Sequence, residues 1–157
     1  MSLEKRLLIL LWASLTTWPV FGNPWSEIED PTEGPAHAIG ETSSGCVRGA
    51  RRLPAEGAGY IVMHLERNRY WGHPALISAI RDLGMEISRK GLGLMHVGDL
   101  GMARGGPMPF GHRSHQSGLD VDVWFDLDPQ LHRGANPDRS NIKAPSFLDP
   151  SGRTVDP

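Results

Sequence analysis

The sequence predicts an α+β domain in which a mostly antiparallel sheet packs against flanking helices. Three observations lead to this fold class: one strongly amphipathic helical segment, several short β-prone runs, and long connections rich in glycine and proline. The chain has 157 residues, of which 39% are hydrophobic and 22% charged, so its size and composition are those of a single globular domain. Because the net charge is −2 and the basic residues are scattered, we expect no nucleic-acid partner.

The first 22 residues have the pattern of an export signal. Lys5 and Arg6 precede an apolar run over residues 7–15, and Gly22 is a small residue suited to signal-peptidase cleavage. A short membrane anchor is the alternative, but polar residues interrupt the run, which is too short to span a bilayer comfortably. We therefore predict a removable signal peptide at 1–22, no stable membrane anchor, and an exported domain at 23–157.

The helix is the clearest predicted element. It covers residues 74–90, where Pro74 favours the first turn and Gly91 is a natural C-terminal stop. Apolar side chains recur along it at three- and four-residue spacing: Leu76, Ile77, Ile80, Leu83 and Ile87. This periodicity predicts that one face of the helix packs into the core.

Short strands are predicted on both sides of the helix, at residues 60–63 and 94–97. Residues 23–45 are rich in proline, glycine, serine, threonine and glutamate, so we expect an extended N-terminal segment with little core of its own. A glycine- and proline-rich loop covers residues 98–111. Apolar and polar side chains then alternate over residues 119–125, which predicts a strand that carries two carboxylates on one face.

Two histidines and a carboxylate form the pattern that carries chemistry. His112 and His115 are three residues apart, and Asp122 follows seven residues after His115. Gly118 allows a tight turn that brings loop and strand side chains together. Imidazole nitrogens and carboxylate oxygens are ligands that zinc prefers. Paired surface histidines near acidic residues also occur without a metal, so the spacing alone leaves both interpretations open.

Several segments of the chain carry a family resemblance. They are residues 45–47, 69–74, 98–102, 105–107 and, above all, 111–122. Together these segments resemble the penicillin-insensitive murein endopeptidases, which are members of the lysostaphin, D-Ala-D-Ala peptidase and Hedgehog-like metallopeptidase group. The broader group shares a His-x-x-Gly-x-x-x-Asp pattern, which falls here on His115, Gly118 and Asp122.

The resemblance implies a zinc metalloendopeptidase with a Hedgehog- and DD-peptidase-like fold. Such an enzyme is a murein hydrolase of the bacterial periplasm, and its expected partner is peptidoglycan. It cleaves the amide cross-link between D-alanine and meso-diaminopimelate. Carried over to this sequence, His115 and Asp122 are implied to bind Zn²⁺, and His112 is implied to belong to the same site in a role left open. Zinc polarises the scissile carbonyl and activates water without a serine nucleophile, which agrees with insensitivity to β-lactams that acylate serine.

The sequence also departs from the family pattern. The family places a His-x-His pair near the end of its catalytic domain, where one imidazole completes the zinc shell and the other serves in acid-base catalysis. This sequence contains no such pair, and His132 is the only histidine after Asp122. The catalytic residues are therefore unknown, and we expect a domain incomplete at its C-terminus with impaired activity. The alternatives are an inactive fragment that binds peptidoglycan without cleavage and a hydrolase of another amide.

Two further carboxylates are expected close to the metal. Asp120 rivals Asp122 because both lie on one strand face, but the shared spacing favours Asp122 as the ligand. Asp120 is then left to orient a ligating histidine. Asp99, in the glycine-rich loop, has two interpretations: it orients a ligand, or it caps its own loop.

The other histidines and the single cysteine are expected to have structural roles. His96 lies in an apolar strand and is expected in the core, and His73 is expected to mark the start of the helix. No role is assigned to His37 or His64. Cys46 is either a small buried side chain or, as the resemblance implies, a residue whose partner cysteine lies in a part of the family domain that this sequence lacks.

Overall fold

The structure, a computed structural model, describes residues 23–124. Outside the described residues lie the predicted signal peptide at 1–22 and His132. Phe125, the last residue of the predicted final strand, also lies outside them. The signal peptide, the end of the final strand and the role of His132 stay predictions. Within residues 23–124, no helix combines the length and the apolar character that crossing a membrane requires.

The described chain consists of short strands and one long helix. The strands are β1 (His37–Glu41), β2 (Ser44–Arg48), β3 (Arg51–Arg52), β4 (Glu56–Gly57), β5 (Tyr60–Val62), β6 (Trp71–Gly72), β7 (Met95–Val97) and β8 (Val123–Trp124). The helix α1 (Pro74–Arg89) lies between β6 and β7, and a short 3-10 turn (Leu65–Arg67) lies between β5 and β6.

The strands of the described region form three small sheets. Strand β1 pairs with β2, β3 pairs with β6, and the largest sheet has the order β4-β5-β7-β8. Strands β5 and β7 are parallel, whereas the other pairs are antiparallel. Two parallel neighbours need a long crossover connection, and the segment that contains α1 supplies it. The predicted α+β class with a mostly antiparallel sheet is confirmed.

Helix α1 begins and ends where the sequence predicts. The ring Nδ1 of His73 accepts a hydrogen bond from the backbone N of Ala75 at 3.2 Å, and Pro74 occupies the first helical position. At the other end Lys90 is the C-cap, and Gly91 has the left-handed φ of 66° that commonly terminates a helix. His73 therefore marks the start of the helix, as expected.

The core lies between α1 and the largest sheet. Its buried members are Leu53, Tyr60, Val62, Ile77, Ile80, Met95, Val97 and Leu100. Burial of an apolar side chain of this size contributes about 1.5–3 kcal/mol relative to exposure, so this cluster is the main source of stability in the described region. The prediction for Leu83 is wrong, since it is 49% exposed: the buried stripe of α1 is formed by Ile77, Ile80 and Gly84.

Gly84 brings the helix very close to the sheet. A Cβ atom at this position would lie 2.5 Å from the carbonyl oxygen of Ala58 and 2.8 Å from Cδ1 of Tyr60. Both distances are shorter than ordinary van der Waals contact, so only glycine fits here without a backbone shift. The close approach fixes α1 against the beginning of β5.

A β-hairpin replaces much of the extended N-terminal segment that the sequence predicts. Strands β1 and β2 pair antiparallel from His37↔Arg48 to Glu41↔Ser44. The stabilising partner is distant in sequence: Gln116 donates from its backbone N to Thr42 O (2.9 Å) and from Nε2 to Ser43 O (3.0 Å). The hairpin itself was not predicted, because local composition does not reveal this partner. The expectation of little core holds at residues 37–45, none of which is buried.

The end of the largest sheet places a predicted site residue. Within the described residues, which end at Trp124, regular pairing with β7 covers Val123 and Trp124, so the strand begins later than the predicted start at residue 119. Backbone bonds continue one step further, because the N of Gly98 donates to Asp122 O (2.8 Å) and the N of Asp122 donates to Asp99 O (3.0 Å). Asp122 is therefore held by the backbone beside the end of β7.

Candidate metal centre

The three predicted ligands meet in one place. His112, His115 and Asp122 each offer one ligand atom, and these atoms lie within 4.8 Å of one another. Oδ2 of Asp122 is 3.3 Å from Nε2 of His112 and 3.5 Å from Nε2 of His115. Two histidines from a loop and a carboxylate from the residue just before β8 thus face a common point.

His115 is fixed in an unusual backbone conformation. Its φ is 68°, in the left-handed region that costs roughly 1–2 kcal/mol for a side chain with a Cβ, although histidine tolerates it better than most residues. The carboxylate of Asp120 offsets this cost, because its Oδ2 accepts a hydrogen bond from the backbone N of His115 at 3.0 Å. A turn closed by Asp120 therefore aims the His115 side chain at the site.

The same carboxylate also orients the His115 ring. Nδ1 of His115 is 2.8 Å from Oδ2 of Asp120 and 3.4 Å from the backbone carbonyl oxygen of Asp120, and both oxygens are acceptors. An ionised carboxylate only accepts hydrogen bonds, so the neutral ring must carry its proton on Nδ1 and leave the Nε2 lone pair free to bind a cation. A hydrogen-bonded carboxylate behind a ligating histidine is the usual way in which proteins fix a metal-binding tautomer.

The chemistry of the Nε2 atom of His115 fits a metal ion. The residue is 2% exposed, and Nε2 is buried without a hydrogen-bond partner among the described residues. A buried polar atom without a partner is costly unless a ligand satisfies it. Two neutral imidazoles and one carboxylate form a donor set that zinc favours, and the carboxylate offsets one of the two positive charges of the ion. The residues present therefore fit a zinc ion, although metal binding itself stays a prediction.

His112 occupies the open side of the site. Its side chain is 47% exposed, whereas that of His115 is 2% exposed. The two rings meet edge to face, with centroids 5.3 Å apart and an interplanar angle of 76°. His112 Nε2 is also 3.8 Å from Oδ2 of Asp99, a carboxylate that is almost completely buried. The site is therefore open to solvent on the His112 side.

Sequence reasoning overlooked two residues that support this loop, Arg69 and Gln116. Arg69 is 3% exposed and donates to Asp99 Oδ2 at 2.8 Å. Gln116 is 7% exposed, and its Nε2 donates to Arg113 O at 2.9 Å in addition to its bonds to the β1–β2 turn. Both lie inside the segments that carry the family resemblance, which was the available signal.

The remaining candidates lie elsewhere. His96 is in β7 and 2% exposed, as expected for a core histidine. Cys46 is half-buried and lines an apolar groove of about 550 Å³. The groove is lined by Pro24, Trp25, Ile28, Thr32, Ile39, Cys46, Val47, Arg48 and Arg104. None of these residues belongs to the candidate metal centre.

Fold and site together define an α+β domain with a histidine and aspartate centre suited to a divalent metal. A family model described as penicillin-insensitive murein endopeptidase matches residues 38–157. The chain belongs to this family, which confirms the resemblance.

Relatives in three bacteria carry the name penicillin-insensitive murein endopeptidase. The protein of Klebsiella pneumoniae strain 342 is 39% identical over 147 residues, which are 94% of this chain and 52% of the relative. That of Pectobacterium atrosepticum is 44% identical over 125 residues, 79% of this chain and 44% of the relative. That of Escherichia coli O157:H7 is 42% identical over 147 residues, 94% of this chain and 52% of the relative. The chain thus spans about half the length of these curated relatives.

Proposed function

We propose that the protein is a zinc-dependent murein endopeptidase of the periplasm, in which His115, Asp122 and His112 bind the metal. The observation that carries the zinc proposal is the buried, unpartnered Nε2 of His115, which faces the other two ligand atoms and is held there by Asp120. Family membership and the names of the relatives support peptidoglycan as the substrate.

The proposed reaction is hydrolysis of the D-alanyl–meso-diaminopimelyl amide, the cross-link that the family resemblance implies. When bound, zinc would supply Lewis-acid chemistry to the scissile carbonyl and to water. The chain's own contribution is orientation: Asp120 retains the Nδ1 proton of His115, and the backbone bonds of Asp122 fix its carboxylate beside β7. The His112 side chain is 47% exposed, so this side of the site is open to solvent.

The zinc content of purified variants tests the ligand assignment. We expect about one zinc ion per chain in the wild type, and loss of that zinc in His115→Ala and in Asp122→Ala, because catalytic zinc sites usually have three protein ligands. His112→Ala should weaken binding, since it removes the most exposed member of the group. His37→Ala is the matched control, because it removes an exposed histidine of β1 outside the site. Stoichiometric zinc in both His115→Ala and Asp122→Ala would contradict the assignment.

The muropeptides released from purified sacculi test the substrate. We expect the zinc-loaded chain to convert cross-linked dimers to monomers at a reduced rate, because no His-x-His pair supplies an acid-base residue, and we expect His115→Ala to abolish this conversion. Sedimentation of the chain with sacculi without any release would instead support the second candidate, a peptidoglycan-binding module without cleavage. If the chain neither sediments with sacculi nor releases muropeptides, peptidoglycan is not its substrate.

A further inference from the structure

A buried ion pair lies directly behind the His112 side of the site. Asp99 is 4% exposed, and its Oδ2 accepts a hydrogen bond from Nη1 of Arg69 at 2.8 Å. The same Oδ2 is 3.8 Å from Nε2 of His112. One carboxylate oxygen is thus shared between a buried guanidinium and a member of the metal centre.

Arg69 connects this carboxylate to the loop that carries His112. While Nη1 binds Asp99, Nη2 donates to the carbonyl oxygen of Phe110 at 2.8 Å. The guanidinium carbon also lies 4.1 Å from the centroid of the Phe110 ring. The planar, five-donor fork of arginine makes these contacts simultaneously, which a lysine ammonium cannot do at the same geometry. The backbone two residues before His112 is thereby fixed to Asp99.

The backbone of the same residues leads to the other side of the metal centre. The carbonyl oxygen of Arg69 accepts a hydrogen bond from Leu100 N at 2.8 Å, and that of Asp99 accepts one from Asp122 N at 3.0 Å. Asp99 therefore contacts Asp122 through its main chain and Arg69 through its side chain. The Arg69–Asp99 pair thus links Asp122, just before β8, to the loop segment that carries His112.

A second arginine, Arg67, also lies near Asp99, so proximity to this carboxylate does not by itself distinguish Arg69. Arg67 Nη1 lies 3.4 Å from both oxygens of Asp99, and its side chain is 28% exposed. These contacts are longer than the 2.8 Å bond of Arg69, whose side chain is 2% exposed. Arg67 thus adds positive charge near the carboxylate, while the short, buried bonds belong to Arg69.

We propose that Arg69 is a positioning residue that, through Asp99 and the Phe110 carbonyl, sets the place of His112 relative to His115 and Asp122. The metal-binding part of this proposal rests on the proposed function, whereas the placement of His112 does not. A buried ion pair can often be replaced by apolar residues without loss of stability. The role inferred for the Arg69–Asp99 pair is therefore the placement of His112 and not a contribution to the free energy of unfolding.

Two measurements on the same variants test the proposal at one fixed pH. The first uses the metal-free protein: nuclear Overhauser effects between the ring protons of His112 and His115 report whether the edge-to-face contact persists. The second is the zinc dissociation constant, measured by competition with a chromophoric chelator. In Arg69→Lys we expect the ring contact to be lost and zinc affinity to fall by about 10- to 100-fold, the range typical for partners that orient metal ligands. Arg67→Gln is the matched control, and we expect the ring contact to persist and the affinity to change by less than about threefold.

Folding is checked first by circular dichroism and thermal unfolding. If Arg69→Lys does not fold, the double variant Arg69→Gln with Asp99→Asn replaces the ion pair by a neutral pair, for which the same two results are expected. Failure of both variants to fold would overturn the proposal, because Arg69 would then serve the fold as a whole.

The remaining outcomes separate this proposal from the zinc assignment. If folded Arg69 variants keep both the ring contact and wild-type zinc affinity, or if Arg67→Gln is impaired as much as Arg69→Lys, the positioning role is wrong while the zinc site stands. If the wild type binds no zinc but the ring contact is lost only in the Arg69 variants, the zinc assignment is wrong while the positioning role stands.

Discussion

Replacement of Asp120 by asparagine tests the support of the candidate metal centre. The substitution keeps the shape of the side chain but removes the negative charge of an oxygen that lies 2.8 Å from Nδ1 of His115 and accepts a hydrogen bond from the backbone N of the same residue at 3.0 Å. Removal of a carboxylate behind a ligating histidine typically lowers metal affinity by about 10- to 100-fold, which corresponds to about 1.4–2.7 kcal/mol. The weaker backbone bond should also lower the free energy of unfolding by about 1 kcal/mol, the difference between a charged and a neutral acceptor.

The assay for Asp120→Asn is competition for zinc with a chromophoric chelator, together with urea unfolding of the metal-free protein. Asp82→Asn is the matched control, because Asp82 is an exposed carboxylate of α1 whose hydrogen-bond partner is Ser78. We expect the control to leave zinc affinity unchanged. Zinc affinity of Asp120→Asn within about twofold of the wild type would refute the reasoning that Asp120 holds the His115 ring for the metal.

Two further substitutions test the packing that supports the site, both by urea unfolding. Gly84→Ala should lower the free energy of unfolding by about 1–3 kcal/mol, because the added Cβ would lie 2.5 Å from Ala58 O. Ser88→Ala on the exposed side of the same helix should change it by less than about 0.5 kcal/mol, and equal effects of the two would contradict the close packing. Gln116→Leu should cost about 1–3 kcal/mol, since the carbonyls of Ser43 and Arg113 lose a donor and each such bond contributes about 0.5–1.5 kcal/mol. A loss below about 0.5 kcal/mol would show that Gln116 does not stabilise the β1–β2 turn.

The sequence predicted the elements whose signals are local. The apolar period and the flanking Pro74 and Gly91 located α1, and alternation located the neighbourhood of β8. The spacing of His112, His115 and Asp122 predicted side chains that the structure brings within 4.8 Å. Each of these signals depends on residues that are neighbours in the chain.

The parts that were not predicted depend on contacts between distant residues. The β1–β2 hairpin is stabilised by Gln116, more than seventy residues away, and no composition rule reveals such a partner. Arg69 reads as an ordinary charged residue until the fold places Asp99 and Phe110 around it. Within the described residues, β8 begins at Val123 rather than at residue 119, and the Asp120 carboxylate just before it bonds to His115, a role that alternation does not reveal.

The most direct test of the central claim is an anomalous difference map, measured at the zinc absorption edge, from crystals of the zinc-loaded chain. The account predicts one peak enclosed by His112, His115 and Asp122, at about 2.0–2.2 Å from Nε2 of His115 and from a carboxylate oxygen of Asp122. A peak at another position, or the absence of a peak in crystals soaked with zinc at neutral pH, would contradict it.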